Sequence, residues 1–557
     1  MTTQAPTVAQ APVQISGVHE LGDGRVLFAL WAPWKKSVHL AGDFNGWNAE
    51  ADPMVVDESG LWWIEKQLEA GTYAYQFVID GETWLCDPYA RRLRWDGGGP
   101  QPHALLEVGG KPYQWGDDGF QIKPLNQLVI YELHVGDFSP EGTFKGVIER
   151  LDYLADLGVD AIELMPIQEF PGDRSWGYNP AFFFAVEGAY GTAEEFKQLV
   201  DAAHQKGIGV ILDMVFAHTA ADAPIGLLYP FEANPYFSSE TNPWGFPSLN
   251  HRDDAVKRLI KDIQDYWLTE FHIDGFRYDY VEGISYDGVN GTSFMAWAAK
   301  QCKPHAYLIA EAIVADPAAV VRDTECDASW HWKFLKMARA QLIEGEYQGN
   351  QYGDLAGLAR VISYDGDGYQ DNAQPVNYLE SHDEERLVKD VRDCNPQIDE
   401  GGAVRKSMLG AVMLFTAQGV PMLYHGQEFG ASAPKTVDVS KLPWGNLQSE
   451  AGSRLHAHYR TLAYLRHTTA ALHGNNFAVL LADAEKGVLV YRRWTDDGLS
   501  DVVVALNLCP APQQVAFAFP RPGRWHEWLH DYDDHAGEEP ILVDLPDSYA
   551  KVWVLQG

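Results

Sequence analysis

Between Leu128 and Gly430 the sequence alternates between short apolar runs and amphipathic helical segments, and this pattern constrains the fold more than any other feature. Continuous apolar strands separated by helices are typical of a parallel sheet with helices on both faces. The strand-like runs are LVIYELHV, VDAIELMP, IGVILDMVF, HIDGFRYD, AYLIAEA, VNYLES and VPMLYHG. An eighth strand is expected near residues 325–330. Eight strand–helix units over about 330 residues predict a (β/α)8 TIM barrel with insertions, rather than an open doubly wound sheet.

Segments with a β pattern flank this barrel on both sides. Residues 15–110 contain short alternating runs separated by Gly, Asp and Pro, and they predict an N-terminal β-sandwich. Residues 470–557 return to that pattern and predict a C-terminal β-sandwich, which leaves 125–465 for the barrel domain. Residues 1–14 are rich in Thr, Gln, Ala and Pro, and we expect them to be disordered. The predicted fold class is therefore multidomain, β plus α/β.

Charge and composition exclude several classes of function. The chain carries 78 Asp and Glu against 42 Lys and Arg, a net charge of −36 at pH 7. Such an acidic surface repels phosphate backbones and anionic headgroups, so we expect neither a nucleic-acid partner nor a membrane. There is no secretory signal, no bilayer-spanning apolar run and no paired-cysteine motif, which together predict a cytoplasmic protein. The 19 Trp suit a neutral, flat-faced ligand such as a sugar.

Ionisable residues follow the predicted strands at the end where a barrel carries its active site. They are Asp213 and His218 after the third strand, Arg277 and Asp279 on the fourth, Glu311 after the fifth, and His382 and Asp383 after the seventh. Period-two alternation places Arg277 and Asp279 on one face of their strand, where the guanidinium is expected to lower the carboxyl pKa. A single strand-end acid is most often a helix cap, but three converging acids repel one another and indicate a functional site.

Two carboxyl groups in different electrostatic environments are what glycoside hydrolysis requires. One acid keeps its proton for the leaving group, and the other stays anionic to attack the sugar. For a mechanism that retains the anomeric configuration, the two carboxyl groups are expected to lie about 5 Å apart.

These segments resemble the four signature regions of the α-amylase superfamily of retaining α-glucan enzymes, in the same order and spacing. The resemblance covers the barrel from Leu128 to Gly430. It implies that Asp279 is the nucleophile and Glu311 the general acid/base. It further implies that Asp383 binds the distorted donor sugar and favours the oxocarbenium-like transition state.

The same resemblance implies a set of substrate-binding residues. Arg277 would keep Asp279 ionised, with Asp213 in a supporting role around it. His218 and His382 would donate hydrogen bonds to sugar hydroxyls, and Tyr178 in SWGYNP would stack beneath the donor sugar. The implied partner is an α-glucan or maltooligosaccharide.

The N-terminal run WAPWKKSVHLAGDFNGWN resembles the starch-binding-like β-sandwich found before the barrel in branching, debranching and trehalohydrolase members of this superfamily. Its tryptophans, Trp47, Trp62, Trp63 and Trp84, have two alternative roles. They pack the sandwich core and its interface with the barrel, or they bind glucan.

Two departures from the superfamily pattern are informative. Most α-amylases carry an Asn before the first-region His, and that Asn helps to ligate a structural calcium ion. This chain has Ala217, which offers no oxygen ligand, so a calcium site is doubtful and we expect no metal and no cofactor. Secreted α-amylases often carry Lys-His three and four residues after the nucleophile, where this chain has Glu282 and Gly283. Both departures favour an intracellular glucan enzyme with altered acceptor binding.

The sequence favours a retaining hydrolase of α-1,4-glucosidic bonds. A 1,4-α-glucan branching enzyme is the first alternative because SHDEE resembles the branching-enzyme fourth region, and trehalohydrolase and α-1,6 debranching activities remain open. A catalytically inactive glucan-binding barrel is disfavoured because all three acids and Arg277 are present. Metal-dependent hydrolysis through Asp213, His218 and His382 is disfavoured because no compact ligand motif accompanies them.

Overall fold

The computed structural model describes residues 9–95, 101–284, 294–304 and 306–556. In its N-terminal module, two sheets pack face to face. The strands of the first sheet are Gly17–Gly22, Arg25–Trp31, Val55–Val56 and Leu61–Gln67, and those of the second are Val38–Gly42, Asp52–Pro53, Gly71–Ile79, Thr83–Leu85, Leu93–Arg94 and His103–Val108. Alternating side chains of both sheets, such as Phe28 and Phe77, are fully buried between them.

The predicted disorder of residues 1–14 is wrong for 9–14, and 1–8 lie outside the described residues. The Ala9 N–H donates to the Val56 carbonyl at 2.9 Å. Ala11 is buried in a small apolar cluster with Ala29 and Leu61. The composition of residues 9–14 favours disorder because ordering them costs conformational entropy. Their contacts with the edge of the sheet offset that cost.

Eight parallel strands form a closed barrel within the described part of the chain, which confirms the predicted fold class. They are numbered β1 (Ile130–Leu133), β2 (Ala161–Leu164), β3 (Gly209–Met214), β4 (Gly275–Tyr278), β5 (Tyr307–Ala310), β6 (Ala328–Trp330), β7 (Pro375–Tyr378) and β8 (Val420–Tyr424). The expected strand near residues 325–330 is β6. Apolar side chains, including Ile130, Ile211, Ile309 and Met422, fill the barrel interior towards the strand N-termini.

Helices surround the barrel. They are Val135–Phe138, Phe144–Ile148, Leu151–Leu157, Ala193–Gln205, Pro224–Leu227, Asp254–Phe271, Phe294–Cys302, Ala318–Asp323, Trp332–Ile343, Leu355–Ile362, Leu387–Cys394, Glu400–Thr416 and Glu450–Thr468. The helix before β4 shows why such segments fold. Asp253 caps its N-terminus by accepting from the Ala255 N–H at 2.8 Å, and Leu259, Ile263 and Trp267 bury one face. None of the helices in the described ranges is long and apolar enough to cross a membrane.

The C-terminal module is also built from antiparallel sheets. Its larger sheet contains Asn476–Asp483, Val488–Trp494, Asp501–Asn507, Gly523–Glu527, Tyr532–Ala536 and Tyr549–Gln556, and its smaller one pairs Gln513–Phe517 with Ile541–Leu545. Phe517, Phe519, Trp525 and Trp553 form the centre of its core.

In the described part of the barrel domain, three short hairpins accompany the barrel. They pair Gln168–Glu169 with Phe182–Val186, Phe237–Thr241 with Pro247–Leu249, and Glu346–Tyr347 with Asn350–Gln351. The hairpin of residues 237–249 lies between β3 and the helix before β4. A β-bridge between His218 and Ser248 fixes it beside the carboxyl end of the barrel.

Candidate active site at the carboxyl end of the barrel

Strand register brings the predicted acids to one face of the molecule. Asp213 on β3 lies opposite Arg277 on β4 in the parallel ladder. Asp279 directly follows β4, and Glu311 directly follows β5. Because the carboxyl ends of all barrel strands open on the same side, these side chains converge although they are distant in sequence.

Arg277 is the centre of this cluster. It is fully buried, and its Nη1 donates to Oδ2 of Asp213 at 2.7 Å and to Oδ1 of Asp279 at 3.0 Å. Its Nη2 lies 2.8 Å from Oε2 of Glu311, an ion pair without the directional geometry of a hydrogen bond. The guanidinium also lies 4.3 Å from the ring centroid of Trp330. One cation thus holds three carboxyl groups in place.

The charge balance of this cluster changes the expected protonation. Three carboxylates share one guanidinium out of water, so burial raises the pKa of Asp279 well above its usual range although Arg277 opposes the rise. The prediction that Arg277 gives Asp279 a lowered pKa is therefore wrong in its net direction. Burial likewise raises the pKa of Asp213. Asp279 and Asp213 therefore bind their protons more tightly than isolated aspartates do.

Glu311 is anchored by backbone as well as by charge. The Tyr280 N–H donates to Oε2 of Glu311 at 2.9 Å, and the Glu311 N–H donates to the Tyr278 carbonyl at 3.0 Å. Both Glu311 and Asp279 are buried, at 6% and 9% exposure, so neither is freely hydrated. Their positions on two terminal nitrogens of one guanidinium place them side by side.

Asp383 has a different environment. Its side chain is about half exposed, and the imidazole Nε2 of His382 lies 3.3 Å from its Oδ2. The positive charge of His382 lowers the pKa of Asp383 well below its usual range, and Lys435 contributes to this effect. Asp383 therefore loses its proton more readily than Asp279 does.

Glu132 at the end of β1 was not identified from sequence. The other ring nitrogen of His382, Nδ1, lies 2.6 Å from Oε1 of Glu132, and the His382 backbone N–H donates to Oε2 at 3.3 Å. With an acid on each side, the pKa of His382 rises well above its usual value, although burial alone would lower it. The imidazolium is thus held between Glu132 and Asp383, and both of its N–H groups are engaged.

Tyr178 lies in the loop after β2, above this cluster. Its hydroxyl donates to Oδ2 of Asp213 at 2.5 Å, and its ring stacks on His382 with centroids 4.8 Å apart. These two contacts fix the ring beside Asp213 and His382. The stacking of a sugar on this ring stays a prediction.

His218 is close to the site, but its contacts differ from the expected ones. Its Nε2 donates to the Tyr178 carbonyl at 2.8 Å, and its ring stacks on Phe246 with centroids 5.1 Å apart. Burial lowers the pKa of His218, so the ring is neutral. Its Nδ1 is buried without a hydrogen-bond partner among the described residues, and the hydrogen bond from His218 to a sugar hydroxyl stays a prediction.

A second acid in the barrel interior was also missed. Glu163 on β2 lies opposite Glu132 in the β1–β2 ladder and is fully buried. Neither of its carboxyl oxygens has a hydrogen-bond partner among the described residues. Burial and the neighbouring Glu132 raise the pKa of Glu163 well above its usual range. Both acids interrupt apolar strand runs, YELHV and IELMP, and that interruption was the available sequence signal.

Ala217 offers no ligand to a metal ion. Its methyl group is buried beside Gly283 and supplies no oxygen. Across the described ranges, no group of three or more His, Cys, Asp or Glu side chains is arranged to hold a metal ion. Independence from calcium stays a prediction to be tested with a chelator.

The four tryptophans singled out in the N-terminal module lie in three different environments. Trp62 is buried in the sandwich core, where its Nε1 donates to the Ala32 carbonyl at 2.8 Å. Trp47 and Trp84 lie together at the surface, with ring centroids 6.4 Å apart, and Trp84 is 39% exposed. Trp63 is partly buried against the segment 9–14 through a bond to the Ala9 carbonyl.

Two family models match the chain. The alpha amylase catalytic domain matches residues 112–225 and 233–451, and carbohydrate-binding module 48, the isoamylase N-terminal domain, matches residues 16–90. The first match contains all the barrel strands and every acid of the cluster around Arg277.

Curated relatives include hydrolases and transferases. A malto-oligosyltrehalose trehalohydrolase of Saccharolobus solfataricus is 32% identical over 75% of this chain and 75% of its own. That of Rhizobium sp. strain M-11 is 29% identical over 98% of this chain and 99% of its own. A 1,4-alpha-glucan branching enzyme of Nitrosomonas europaea is 30% identical over 90% of this chain and 76% of its own.

Solved structures share the fold. The group B Streptococcus pullulanase bound to maltotetraose superimposes with a TM-score of 0.81 at 21% identity, covering 98% of this chain and 88% of that chain. The pullulanase type I of Bacillus subtilis bound to maltose gives 0.80 at 20% identity, covering 98% and 86%. With the match to the catalytic-domain model and to the Saccharolobus relative, the chain belongs to the α-amylase family of glycoside hydrolases.

Proposed function

We propose that this protein hydrolyses α-1,4-glucosidic bonds of α-glucans with retention of configuration, through a covalent glycosyl-enzyme. The observation that carries the proposal is the shared guanidinium of Arg277, which holds Asp279 and Glu311 side by side at the barrel mouth. Paired carboxyl groups with different proton affinities are the catalytic requirement of retaining glycosidases.

In the first step, Glu311 donates a proton to the glycosidic oxygen while a carboxylate oxygen of Asp279 attacks the anomeric carbon. The bond from that carbon to the leaving oxygen breaks, and the leaving sugar departs with the proton. In the second step, Glu311 removes a proton from water, whose oxygen attacks the same carbon and releases Asp279. Two inversions give net retention.

The contacts of Arg277 with both carboxyl groups support this division of roles. Arg277 donates directly to Asp279 and stabilises its anion as the proton settles on Glu311. Asp383, kept ionised by His382, would bind hydroxyls of the donor sugar and favour positive charge at the anomeric carbon.

A more specific substrate is suggested by the curated relatives. The Rhizobium relative, which matches 98% of this chain and 99% of its own, is a malto-oligosyltrehalose trehalohydrolase, so an oligosaccharide that ends in trehalose is the first substrate to test. Branching is the second candidate, favoured by the branching-enzyme relative that covers 90% of this chain. In a branching enzyme a sugar hydroxyl, rather than water, would attack the same intermediate.

Incubation with long-chain amylose separates these activities. Reducing ends and iodine colour are followed together, and the product is then treated with isoamylase. Hydrolysis predicts that reducing ends rise as colour falls. A colour change without new reducing ends, followed by release of short chains by isoamylase, would instead identify a branching enzyme. Maltopentaosyltrehalose is assayed in parallel for release of trehalose.

The proposal extends to the N-terminal module and the compartment. The surface pair Trp47 and Trp84 offers two adjacent aromatic faces to a glucan chain, which supports a binding role for this module.

A cytoplasmic location is supported by five cysteines that are all free, including the exposed Cys394, because such thiols persist in a reducing compartment.

A further inference from the structure

Asp383 differs from the other two acids of the site because burial does not hold it in place. Its side chain is 48% exposed, whereas Asp279 and Glu311 are 9% and 6% exposed. A half-exposed carboxylate keeps its rotamer freedom unless specific contacts remove it, and ordering it when a sugar binds then costs free energy. The contacts that fix Asp383 therefore decide how well it is prepared to receive the donor sugar.

Two cations lie against this carboxylate, one at each oxygen. The imidazole Nε2 of His382 lies 3.3 Å from Oδ2, and Nζ of Lys435 lies 3.5 Å from Oδ1. Nζ of Lys435 also donates to the backbone carbonyl of Asp383. The ammonium group is thus tied to the main chain of the acid as well as to its charge. A carboxylate has about four acceptor positions, so both oxygens can still accept from sugar hydroxyls.

An aromatic ring connects the two cations. Nζ of Lys435 lies 5.7 Å from the centroid of the Trp176 ring, which is within the range of a cation–π contact. The Trp176 ring in turn meets the His382 ring edge to face, with centroids 5.6 Å apart. The contacts form a closed cycle through Lys435, Asp383, His382 and Trp176. The carboxylate of Asp383 therefore cannot change its rotamer without breaking a contact with one of the two cations.

The loop that carries Lys435 is held independently of that side chain. This loop, residues 430–443, follows β8 and lies beside the buried Asp137. The Ser440 N–H donates to Oδ1 of Asp137 at 3.0 Å, and the Leu442 N–H donates to the Asp137 carbonyl at 3.0 Å. Truncating the lysine side chain would therefore leave these anchors of the loop in place.

Resting on the proposed function, in which Asp383 binds the donor sugar, we propose that Lys435 is a positioning residue of this active site. It holds the carboxylate of Asp383 in one orientation before the sugar arrives. Lys435 acts through Asp383, so its effect should be largest where Asp383 is assigned its role, as positive charge develops at the anomeric carbon. A lysine suits this task because its ammonium group carries three donors and can contact a carboxylate, a carbonyl and a ring together.

The test compares variants of two lysines on the same loop. Lys435→Met keeps a side chain of similar length without its charge or donors, whereas Lys435→Arg keeps both. Lys441→Met is the matched control, because Nζ of Lys441 supports the loop by donating to the Gly136 carbonyl at 2.6 Å. Each protein is assayed for kcat and KM on maltohexaose and on a malto-oligosyltrehalose of equal length, at about 0.05 M and about 1 M NaCl. The melting temperature of each is also measured.

We expect Lys435→Met to lower kcat/KM by about 10-fold at low salt, the loss of one hydrogen bond from a charged group, with more of the loss in kcat than in KM. Its melting temperature should stay close to that of wild type because the lysine side chain is 34% exposed. Lys435→Arg should recover most of the activity, and Lys441→Met should lose none. The ratio of wild-type to Lys435→Met activity should shrink in high salt, because the exposed pair is screened while the substrate is neutral.

An unchanged kcat/KM in Lys435→Met would overturn the assignment. An equal loss in Lys441→Met would overturn it too, because the effect would then belong to the loop as a whole. A loss that neither salt nor Lys435→Arg alters would assign the effect to packing and would also contradict the proposal. If wild-type protein turns over neither substrate, the proposed function itself fails, and the positioning role fails with it.

Discussion

The buried carboxyl group of Asp279 should cost the protein stability, so we expect Asp279→Asn to make the protein more stable while removing its activity. Asp279 is 9% exposed, and burial is the largest cause of its raised pKa. Asn has the same shape, and its oxygen can still accept from Nη1 of Arg277, which lies 3.0 Å from Oδ1 of Asp279. The substitution therefore removes a desolvated charge and keeps the hydrogen bond.

The sign of this effect follows from linkage. A carboxyl whose pKa is higher in the folded state than in the unfolded state destabilises the fold as pH rises through that interval. The destabilisation is absent below the unfolded pKa near 4, and it grows as pH rises towards the raised pKa of the folded state. A tenfold difference in proton affinity between the folded and unfolded states corresponds to about 1.4 kcal/mol. The lost ion pair with Arg277 offsets part of the gain, so we expect about 1–3 kcal/mol of net stabilisation.

Thermal or denaturant unfolding of Asp279→Asn and wild type between pH 4.5 and 8 measures this difference. The variant should melt higher at pH 7.5, and its advantage should shrink as pH falls. Asp383→Asn is a matched control of opposite sign because its pKa is lowered by His382, so its stabilising charge is present at neutral pH and lost in acid. Its cost should be only about 1 kcal/mol because the side chain is half exposed and screened. A less stable Asp279→Asn, or an advantage that does not vary with pH, would refute the electrostatic argument.

Four further outcomes are expected. Glu311→Gln should lower kcat on glucans by about 10²–10⁴-fold, because it removes the proton donor. Turnover of an α-glycosyl fluoride should slow much less, because fluoride leaves without a proton from Glu311. Equal losses on both substrates would contradict the role of Glu311 as proton donor. Glu132→Gln should weaken proton binding at His382 by about 10- to 100-fold, because it removes about one charge-assisted hydrogen bond. The pKa of His382 should therefore fall in an NMR titration of labelled imidazoles. An unchanged pKa would show that Glu132 does not hold the imidazolium. EDTA should change neither activity nor melting temperature, since Ala217 supplies no calcium ligand, and a large drop would reveal a metal site. Trp84→Ala should weaken retention on immobilised amylose without changing turnover of maltohexaose, and undiminished retention would place glucan binding elsewhere.

The barrel and the convergence of its acids could be predicted from sequence for a geometric reason. Apolar runs alternating with helices specify parallel strands, and parallel strands present their carboxyl ends on one side. Asp213, Arg277, Asp279 and Glu311 therefore meet whatever the loops do. The predicted side-by-side placement of Arg277 and Asp279 follows from strand periodicity, and the two are within hydrogen-bond distance.

The electrostatics could not be predicted in the same way. The pKa of Asp279 depends on how many carboxyl groups share Arg277 and on how little water reaches them, and neither quantity is a property of a single strand. Glu132 was missed because it belongs to a strand without a recognised catalytic residue. Its partner His382 is 250 residues away in the sequence. An acid inside an apolar strand was the signal that could have identified it.

The hairpin of residues 237–249 was also beyond sequence reasoning. Its position depends on a bridge to His218 and on ring contacts of Trp244 and Phe246, which are set by tertiary packing. Local patterns cannot locate such a loop relative to the barrel.

The central claim, retaining hydrolysis through Asp279, is tested most directly by the anomeric configuration of the first product. Proton NMR during cleavage of maltohexaose or a malto-oligosyltrehalose resolves the newly formed reducing end before mutarotation. The α-anomer should appear first, and Asp279→Asn should form neither anomer. Initial appearance of the β-anomer would contradict a glycosyl-enzyme on Asp279, and the absence of any new reducing end on both substrates would contradict hydrolysis.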